Sequence, residues 1–437
     1  MVELETARGV RDINPSEEML RENITDNFKK IFARYGFIPL NTPIIERYDV
    51  LSAKFAAGEE SDAMSETYRL TDNGGRNLGL RFDLTVPLSR YVGMNRTIKM
   101  PFKRYQIGKV YRDAPIKEGR YREFTQCDVD IVGSSDMLAD ATCINVAIDA
   151  YKSVGVDVQI QVNNRKFFID LMVKEGVSEK DAASVMMSID KLDKLGQDGV
   201  LNDAKEKGFN EDVVLKILNL LNTQGSNDDK LLIFENMLPG NEGLIELKEL
   251  LSYFPNSNVV FTPTLARGLG YYTGTVFEVY ANENKSIGAV GAGGRYDNLI
   301  GSYLSGSQNP ESLSANARSF PAVGISFGLD RVVDVLKKLN KTQEQKTRTK
   351  LFIVPLGTKK ESLDIAQKIR SAGINVDIDL MNRGPSKNMQ YADSQGIPFV
   401  AVIGEDELRD NVISLKELAT RNEEKISVED AIKRLLG

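Results

Sequence analysis

Residues 111–133 read YRDAPIKEGRYREFTQCDVDIVG. Pro115 and Gly119 interrupt any regular element, and Arg112, Lys117, Arg120 and Arg122 crowd that interruption with positive charge. Beyond it the residues alternate. Cys127, Val129 and Ile131 fall on one side of an extended chain, and Phe124, Gln126, Asp128 and Asp130 fall on the other. Upstream, PFKRYQIGKVY (101–111) has the aromatic and β-branched content of a strand, so the two arms predict an antiparallel hairpin around a basic loop.

Asp128 and Asp130 on one strand face are about 6.6–7 Å apart, which suits a cationic or donor-rich group better than a shared proton. A second alternating stretch, LGLRFDLTVPL, puts Leu80, Phe82 and Leu84 on an expected core face and Arg81, Asp83 and Thr85 on an exposed or ligand-facing one. Two polar faces of this kind suggest the floor of a pocket. Between Ile98 and Arg122 eight Lys/Arg stand against two acids, a net of +6 over 25 residues in a chain whose net charge is -6. Positive potential is therefore concentrated there, unless the run is simply a solvated face.

The 437 residues suffice for two or three domains, and 41% hydrophobic with 27% charged residues is ordinary globular composition. No apolar run approaches the roughly 20 residues that cross a bilayer, so no membrane association is expected. The N-terminus is charged from Glu3 onward, unlike a signal or transit peptide, and only Cys127 and Cys143 occur, so a cytoplasmic location is expected. Histidine is absent altogether. Imidazole metal ligands and Ser-His or Cys-His nucleophile pairs are excluded, and no metal site built from protein histidine or cysteine is expected.

Helical periodicity runs from Pro15 to about Tyr35, followed by an extended segment, FIPLNTPIIE (37–46). Residues 167–254 are helical in period and rich in Lys, Asp and Glu, as an inserted module would be. VVFTPTLARGLGYYTGTVFEVY (259–280) carries strand signals, GAGGRYD (291–297) reads as a tight glycine turn, and FPAVGISFGLDRVVDVLKKL (320–339) as a strand entering a helix. KLNKTQEQKTRTK (338–350) is polar and aperiodic, a linker. After it, near-continuous apolar strands alternate with helices in a small parallel or mixed α/β domain.

Taken singly, none of these motifs fixes a function. Their order does: ARGVRD (7–12), LRFDLTVPLSRYV (80–92), YRDAPIKEGRYREF (111–124), ARGLGYYTGTVFEVY (266–280), GAGGRYD (291–297) and GISFGLDR (324–331). The set resembles the class II aminoacyl-tRNA synthetases and, among them, the histidyl-tRNA synthetase family, with RGLGYYTG its most specific element. LFIVPLG and ADSQGIPFVAVIGEDEL resemble that family's anticodon-binding domain. The resemblance covers essentially the whole chain. It implies an α+β fold: an antiparallel sheet flanked by helices in a catalytic domain (1–336), a helical insertion (167–254), a linker (337–350) and a C-terminal α/β anticodon-binding domain (351–437).

It also implies an activity: histidine and ATP give histidyl-adenylate, and the histidyl group passes to histidine tRNA. Both steps develop negative charge on phosphate, so preorganised cations are the expected device. By this resemblance Arg112 and Arg267 are catalytic at the α-phosphate, Arg267 doing part of what Mg2+ does in other class II enzymes. Arg112, Arg120, Phe124 and Arg331 bind ATP, which enters with Mg2+; no permanently bound cofactor is implied. Histidine is bound by Asp83, Thr85, Arg112, Gln126, Asp130, Arg267, Tyr271, Tyr272, Ala292 and Tyr296. Lys117 and Arg122 contact tRNA. A homodimer is implied, with FIPLNTPIIE near its interface.

Three positions depart from the family pattern. Tyr111-Arg112-Asp113-Ala114 replaces a motif that ends in a glutamate bonding adenine, and leaves Asp113 as its substitute. Gly270 stands where many members have Asp, and Asp130 is shorter than the Glu of bacterial members. The alternative function is a catalytically silent paralogue that senses histidine or tRNA. Retention of Arg112, Arg267 and Arg331 argues for the enzyme, and RGLGYYTG with GAGGRYD argues against a related synthetase for threonine, proline or glycine.

Overall fold

Ten-residue strands with a tight register dominate the first of two compact units, which comprise Met1–Asp12 with Arg21–Thr342 and Ile13–Leu20 with Gln343–Gly437. The structure is a computed structural model that describes residues 3–53, 65–116, 121–255, 257–266, 271–283, 287–305, 320–342 and 345–436.

In chain order the strands of the first unit are β1 (Ile38–Pro39), β2 (Ile45–Arg47), β3 (Arg69–Thr71), β4 (Asn77–Leu80), β5 (Phe102–Tyr111), β6 (Glu123–Val132), β7 (Val158–Asn164), β8 (Val259–Phe261), β9 (Thr275–Ala281), β10 (Gly291–Arg295) and β11 (Ala322–Gly328). Eight of them form one sheet in the order β1-β5-β6-β11-β10-β9-β7-β8. β5 through β7 are joined antiparallel, and β1 and β8 are added in parallel at the edges. β2, β4 and β3 make a small separate sheet. The predicted hairpin is the centre of this design: β5 and β6 pair from Phe102 with Val132 to Tyr111 with Glu123.

Alternation sorts the sheet into two faces. On one, Cys127, Val129, Ile325 and Phe327 are buried. Against them packs the helix Pro15–Arg34, whose Ile24, Phe28, Ile31 and Phe32 recur at helical spacing, together with the helix Met137–Ser153. Phe327 anchors this contact, its ring centroid 5.4 Å from Phe28, 5.7 Å from Phe32 and 5.5 Å from Tyr151. Tilted aromatic clusters of this kind add to the area they bury.

Helices occupy Arg165–Lys174, Glu179–Ile189, Leu192–Glu206, Glu211–Leu221, Asn227–Met237 and Glu242–Ser252. Five of the six open on a Ser or Asn whose side chain accepts a backbone N–H of the first turn: Asn164, Ser178, Asn210, Ser226 and Asn241. Each such cap contributes about 1 kcal/mol, so these boundaries are written locally.

In the second unit, β12 (Leu351–Pro355) pairs in parallel with β13 (Val376–Ile378) and β14 (Phe399–Ile403). The expected strand-helix alternation stops after the short helix Glu405–Arg409. β15 (Ile413–Glu417) and β16 (Glu423–Ile426) extend the sheet antiparallel before the last helix, Val428–Leu436. Their polar composition, with β16 an edge strand of pattern EEKI, hid them from hydrophobic periodicity.

Candidate active site

The other face of the large sheet is polar, and its register fixes who meets whom. One row across the strands is Arg104–Asp130–Gly324–Gly294, and the next is Gln106–Asp128–Ser326–Ala292–Glu278. A third pairs Gly108, Gln126 and Gly328. Gln126 donates from Nε2 to Ser326 Oγ at 2.9 Å, and its buried Oε1 has no partner.

The glycines are part of the construction. A Cβ on Gly324 would lie 2.0 Å from Asp130 Oδ1, and one on Gly294 would lie 2.8 Å from the Tyr272 ring. GAGGR is therefore strand β10 and not the tight turn expected from sequence. Its glycines answer crowding from side chains and backbone carbonyls of other segments rather than a demand for backbone freedom.

Asp130 is 3% exposed and held from two sides. Tyr296 donates its hydroxyl to Oδ1, and Arg104 Nη2 stands 2.8 Å from Oδ2. Arg104 aims its hydrogen bond from that nitrogen at the Leu84 carbonyl, at 3.1 Å, so Oδ2 keeps an ionic neighbour but no aimed donor. Burial pushes the Asp130 carboxyl up, opposed by Arg104 and then by the Tyr296 hydroxyl. Burial also pushes Asp128 up to about 7, again opposed by Arg104. Two buried acids thus share one arginine, a costly arrangement unless a ligand or proton completes it. The Tyr296 phenol is driven well above its usual range by burial and by Asp130 beside it. Tyr271 stacks 4.6 Å from Tyr272 and 6.2 Å from Tyr296 between ring centroids, forming an aromatic wall.

Asp83 and Thr85 sit where a polar loop becomes a helix, and the predicted strand alternation through Thr85 does not hold. β4 ends at Leu80 and the helix Thr85–Met94 begins five residues later, with Asp83 Oδ1 accepting Val86 N–H at 3.0 Å. Arg81, expected on an exposed or ligand-facing surface, is 3% exposed and donates to the Lys109 and Thr42 carbonyls.

At the other end of the hairpin, the Arg112 guanidinium lies 4.2 Å from the Phe82 ring centroid and 5.0 Å from that of Phe124. Its Nε donates to Phe82 O at 3.3 Å. Aromatic rings on two sides orient this cation. Arg331, at the start of the helix Leu329–Lys338, donates to the Ile287 carbonyl at 2.9 Å. Beside it, buried Asp330 accepts Arg21 Nη1 at 2.7 Å and Thr125 N–H at 3.0 Å, which ties this helix to the residue after Phe124. Arg122 is paired with exposed Asp113 at 2.9 Å. Lys117, Arg120 and Arg267 lie outside the described residues.

Sequence reasoning placed Arg104 among the cations of a surface field; it is completely buried instead. Gln106, Ser326, Gly324 and Gly294 were also missed as parts of the floor. The signal for Arg104 and Gln106 was present, since they alternate with Tyr105 and Ile107 in β5, and register with Asp130 and Asp128 would have paired them. Among the described residues no group of three or more Cys, Asp or Glu could hold a metal ion.

The chain as a whole has close likenesses among known proteins. The histidyl-tRNA synthetase family model matches residues 9–332, and an anticodon binding domain model matches residues 350–437. Histidine--tRNA ligase 1 of a Bacillus cereus strain is 38% identical over 432 residues, covering 97% of this chain and 95% of the relative. Its namesake from Bacillus anthracis is also 38% identical, with 97% and 98% covered. The crystal structure of histidyl-tRNA synthetase from Nostoc sp. PCC 7120 superposes with a TM-score of 0.84 at 29% identity, covering 100% of this chain and 99% of that one. A Bacillus halodurans structure described as an ATP phosphoribosyltransferase regulatory subunit/histidyl-tRNA synthetase shares the fold, with a TM-score of 0.74 at 23% identity over 92% of this chain and 98% of that one. With a family model spanning most of its length and relatives matched nearly end to end, the chain belongs to the histidyl-tRNA synthetase family.

Proposed function

We propose that the chain is a histidine–tRNA ligase. A carboxylate oxygen of histidine attacks the α-phosphorus of ATP, and the bond to the β,γ-diphosphate breaks, giving histidyl-adenylate and pyrophosphate. The terminal adenosine hydroxyl of histidine tRNA then attacks the acyl carbon and AMP leaves. No protein nucleophile is needed in either step; charge building on phosphate oxygens needs fixed cations.

The observation that carries this reading is the doubly held carboxylate of Asp130, facing the same side of one sheet as Gln126, with Arg112 oriented between two rings at the hairpin's far end. In this reading Asp130, Tyr272 and Tyr296 receive the imidazole, with Tyr271 and Ala292 lining the space. Asp83 and Thr85 take the α-amino group, and Gln126 and Arg267 take the carboxylate. Arg112 and Arg267 stabilise the α-phosphate, Arg331 and Arg120 clamp the distal phosphates, and Phe124 offers its ring to adenine. Imidazole presents both N–H and lone-pair functions, and a site built to bond them rejects an apolar isostere strongly.

ATP enters as its magnesium complex. Asp113 and Asp330 are already engaged by Arg122 and Arg21, so phosphates and water supply most of the ion's ligands. Transfer RNA spans the anticodon-binding domain and the hairpin loop, where Lys117 and Arg122 meet it. The ion pair between half-buried Arg122 and exposed Asp113 is worth about 1 kcal/mol. The functional parts are a catalytic domain over 1–336 with its insertion at 167–254, a linker over 337–350 and the anticodon domain over 351–437. Two copies associate through FIPLNTPIIE, where Ile38, Ile44 and Ile45 are 55%, 41% and 51% exposed. No helix among the described residues is long and apolar enough to cross a membrane. In this reading the protein works in the cytoplasm, where its tRNA is charged.

Histidine-dependent exchange between ATP and pyrophosphate tests the activity directly. Exchange is expected with histidine alone among the amino acids; exchange driven by another amino acid, or by none, overturns the reading and favours a silent sensor.

A further inference from the structure

We propose that Arg104 is a positioning residue for the histidine site, fixing the distance between the end that takes the imidazole and the end that takes the amino group. The inference rests on the assignment of Asp130 and of Asp83 with Thr85 given above. One nitrogen makes the link: Arg104 Nη2 lies 2.8 Å from Asp130 Oδ2 and 3.1 Å from the carbonyl oxygen of Leu84, the residue between Asp83 and Thr85. The two ends of the site come from a strand and from a helix start, and nothing in the backbone register alone joins them.

Three observations set this arginine apart from a structural one. Arg295, buried in the same sheet, leaves only its Nε without a partner and uses both terminal nitrogens, on the Ser134 and Asp136 carbonyls and the Asp140 and Asp297 carboxylates. Arg104 is completely buried, yet its Nε and Nη1 have no partner. A buried donor left unmet is an exception that asks for a reason, and here the reason is that one nitrogen must reach two fixed points. The floor is also cleared for the carboxylate it holds, since Gly324 alone lets Asp130 lie where it does.

The test measures equilibrium binding of L-histidine and, separately, of ATP to the full chain and to Arg104→Met, Arg104→Lys, Asp130→Asn and the Arg104→Met/Asp130→Asn double variant. Arg104→Met is expected to weaken histidine at least tenfold, to leave ATP within twofold, and to erode the preference for histidine over its homologue one methylene longer. The double variant is expected to lose less histidine affinity than the sum of the two single losses, because both remove the one contact between Arg104 and that carboxylate. Equal losses for histidine and ATP, additive losses in the double variant, or unchanged preference between the two lengths would overturn the proposal. If Arg104→Met does not fold, Arg104→Lys carries the test. It keeps the charge and loses the reach to two acceptors, so unchanged length preference there defeats the idea. If Asp130→Asn itself leaves histidine binding intact, the pocket assignment fails instead.

Discussion

The two sheets of this protein treat charge in opposite ways. In the C-terminal unit both sheet faces are apolar. Leu351, Ile353, Ala401, Ile403, Ile413 and Leu415 pack with Ala366, Ile369 and Leu435 on one side, and Phe352, Val354 and Val400 with Ala392 and Ile397 on the other. Several of its ion pairs, such as Lys368 with Glu429, stand in solvent. In the eight-stranded sheet one face buries Arg104, Asp128 and Asp130 and leaves polar atoms of Arg104, Gln126 and Asp128 without partners. Stability alone would favour the first solution, because an incompletely satisfied polar network is worse than an apolar core. The contrast teaches where this fold accepts a cost, and that place coincides with the candidate site.

The comparison can be broken from either side. Ile353→Ala, in the purely apolar sheet, should cost about 2–5 kcal/mol, seen in denaturant unfolding, and leave histidine-dependent exchange unchanged below the transition. Loss of exchange in step with stability would erase the division of labour. Arg112→Ala should do the reverse. By analogy with a lost oxyanion donor it removes about 2.7–4 kcal/mol of transition-state stabilisation, a hundred- to thousandfold fall in exchange rate, with the unfolding midpoint little moved.

Asp128→Asn sharpens the contrast through pH. The folded carboxyl titrates near 7, chiefly because burial disfavours its anion, against 3.8 when unfolded. Between those values the native state holds a proton that the unfolded state has released. Stability therefore falls as pH rises through that window and the full cost is reached above pH 7. From pH 5 to pH 8 this one group destabilises by about 3 kcal/mol at most. Asparagine should flatten that slope, raising the melting temperature at pH 8 more than at pH 5, and an equal shift at both pH values would contradict the burial account. The smallest effect is expected at the exposed Lys368–Glu429 pair, where Lys368→Ala should change stability by less than about 1 kcal/mol in thermal unfolding.

Much of the fold was legible because its cues are local. The hairpin from Phe102 to Val132 follows from two alternating arms around Pro115 and Gly119, and five of the six helices between 165 and 252 announce themselves with Ser or Asn caps. The apolar strands of the C-terminal sheet are equally plain, while β16 escaped because a polar edge strand needs no hydrophobic run, and β15, ISLKE, because only Ile413 and Leu415 of its five residues are apolar. GAGGR escaped for the opposite reason. Four glycine or alanine residues say nothing about the Tyr151, Phe277 and Tyr272 side chains that crowd Gly291, Gly293 and Gly294.

The sequence by itself settled the alternation of the Glu123–Val132 strand, the caps of five helices between 165 and 252 and, through the order of its motifs, which family the chain resembles. Only the tertiary structure decided that the alternating acids are buried rather than exposed, and that the Asp130 carboxylate is shared by Arg104 and by Tyr296, 166 positions further along the chain. The reason is physical. Strand period and helix caps act between near neighbours, whereas the ionisation and direction of a buried carboxylate depend on whatever the whole fold brings against it.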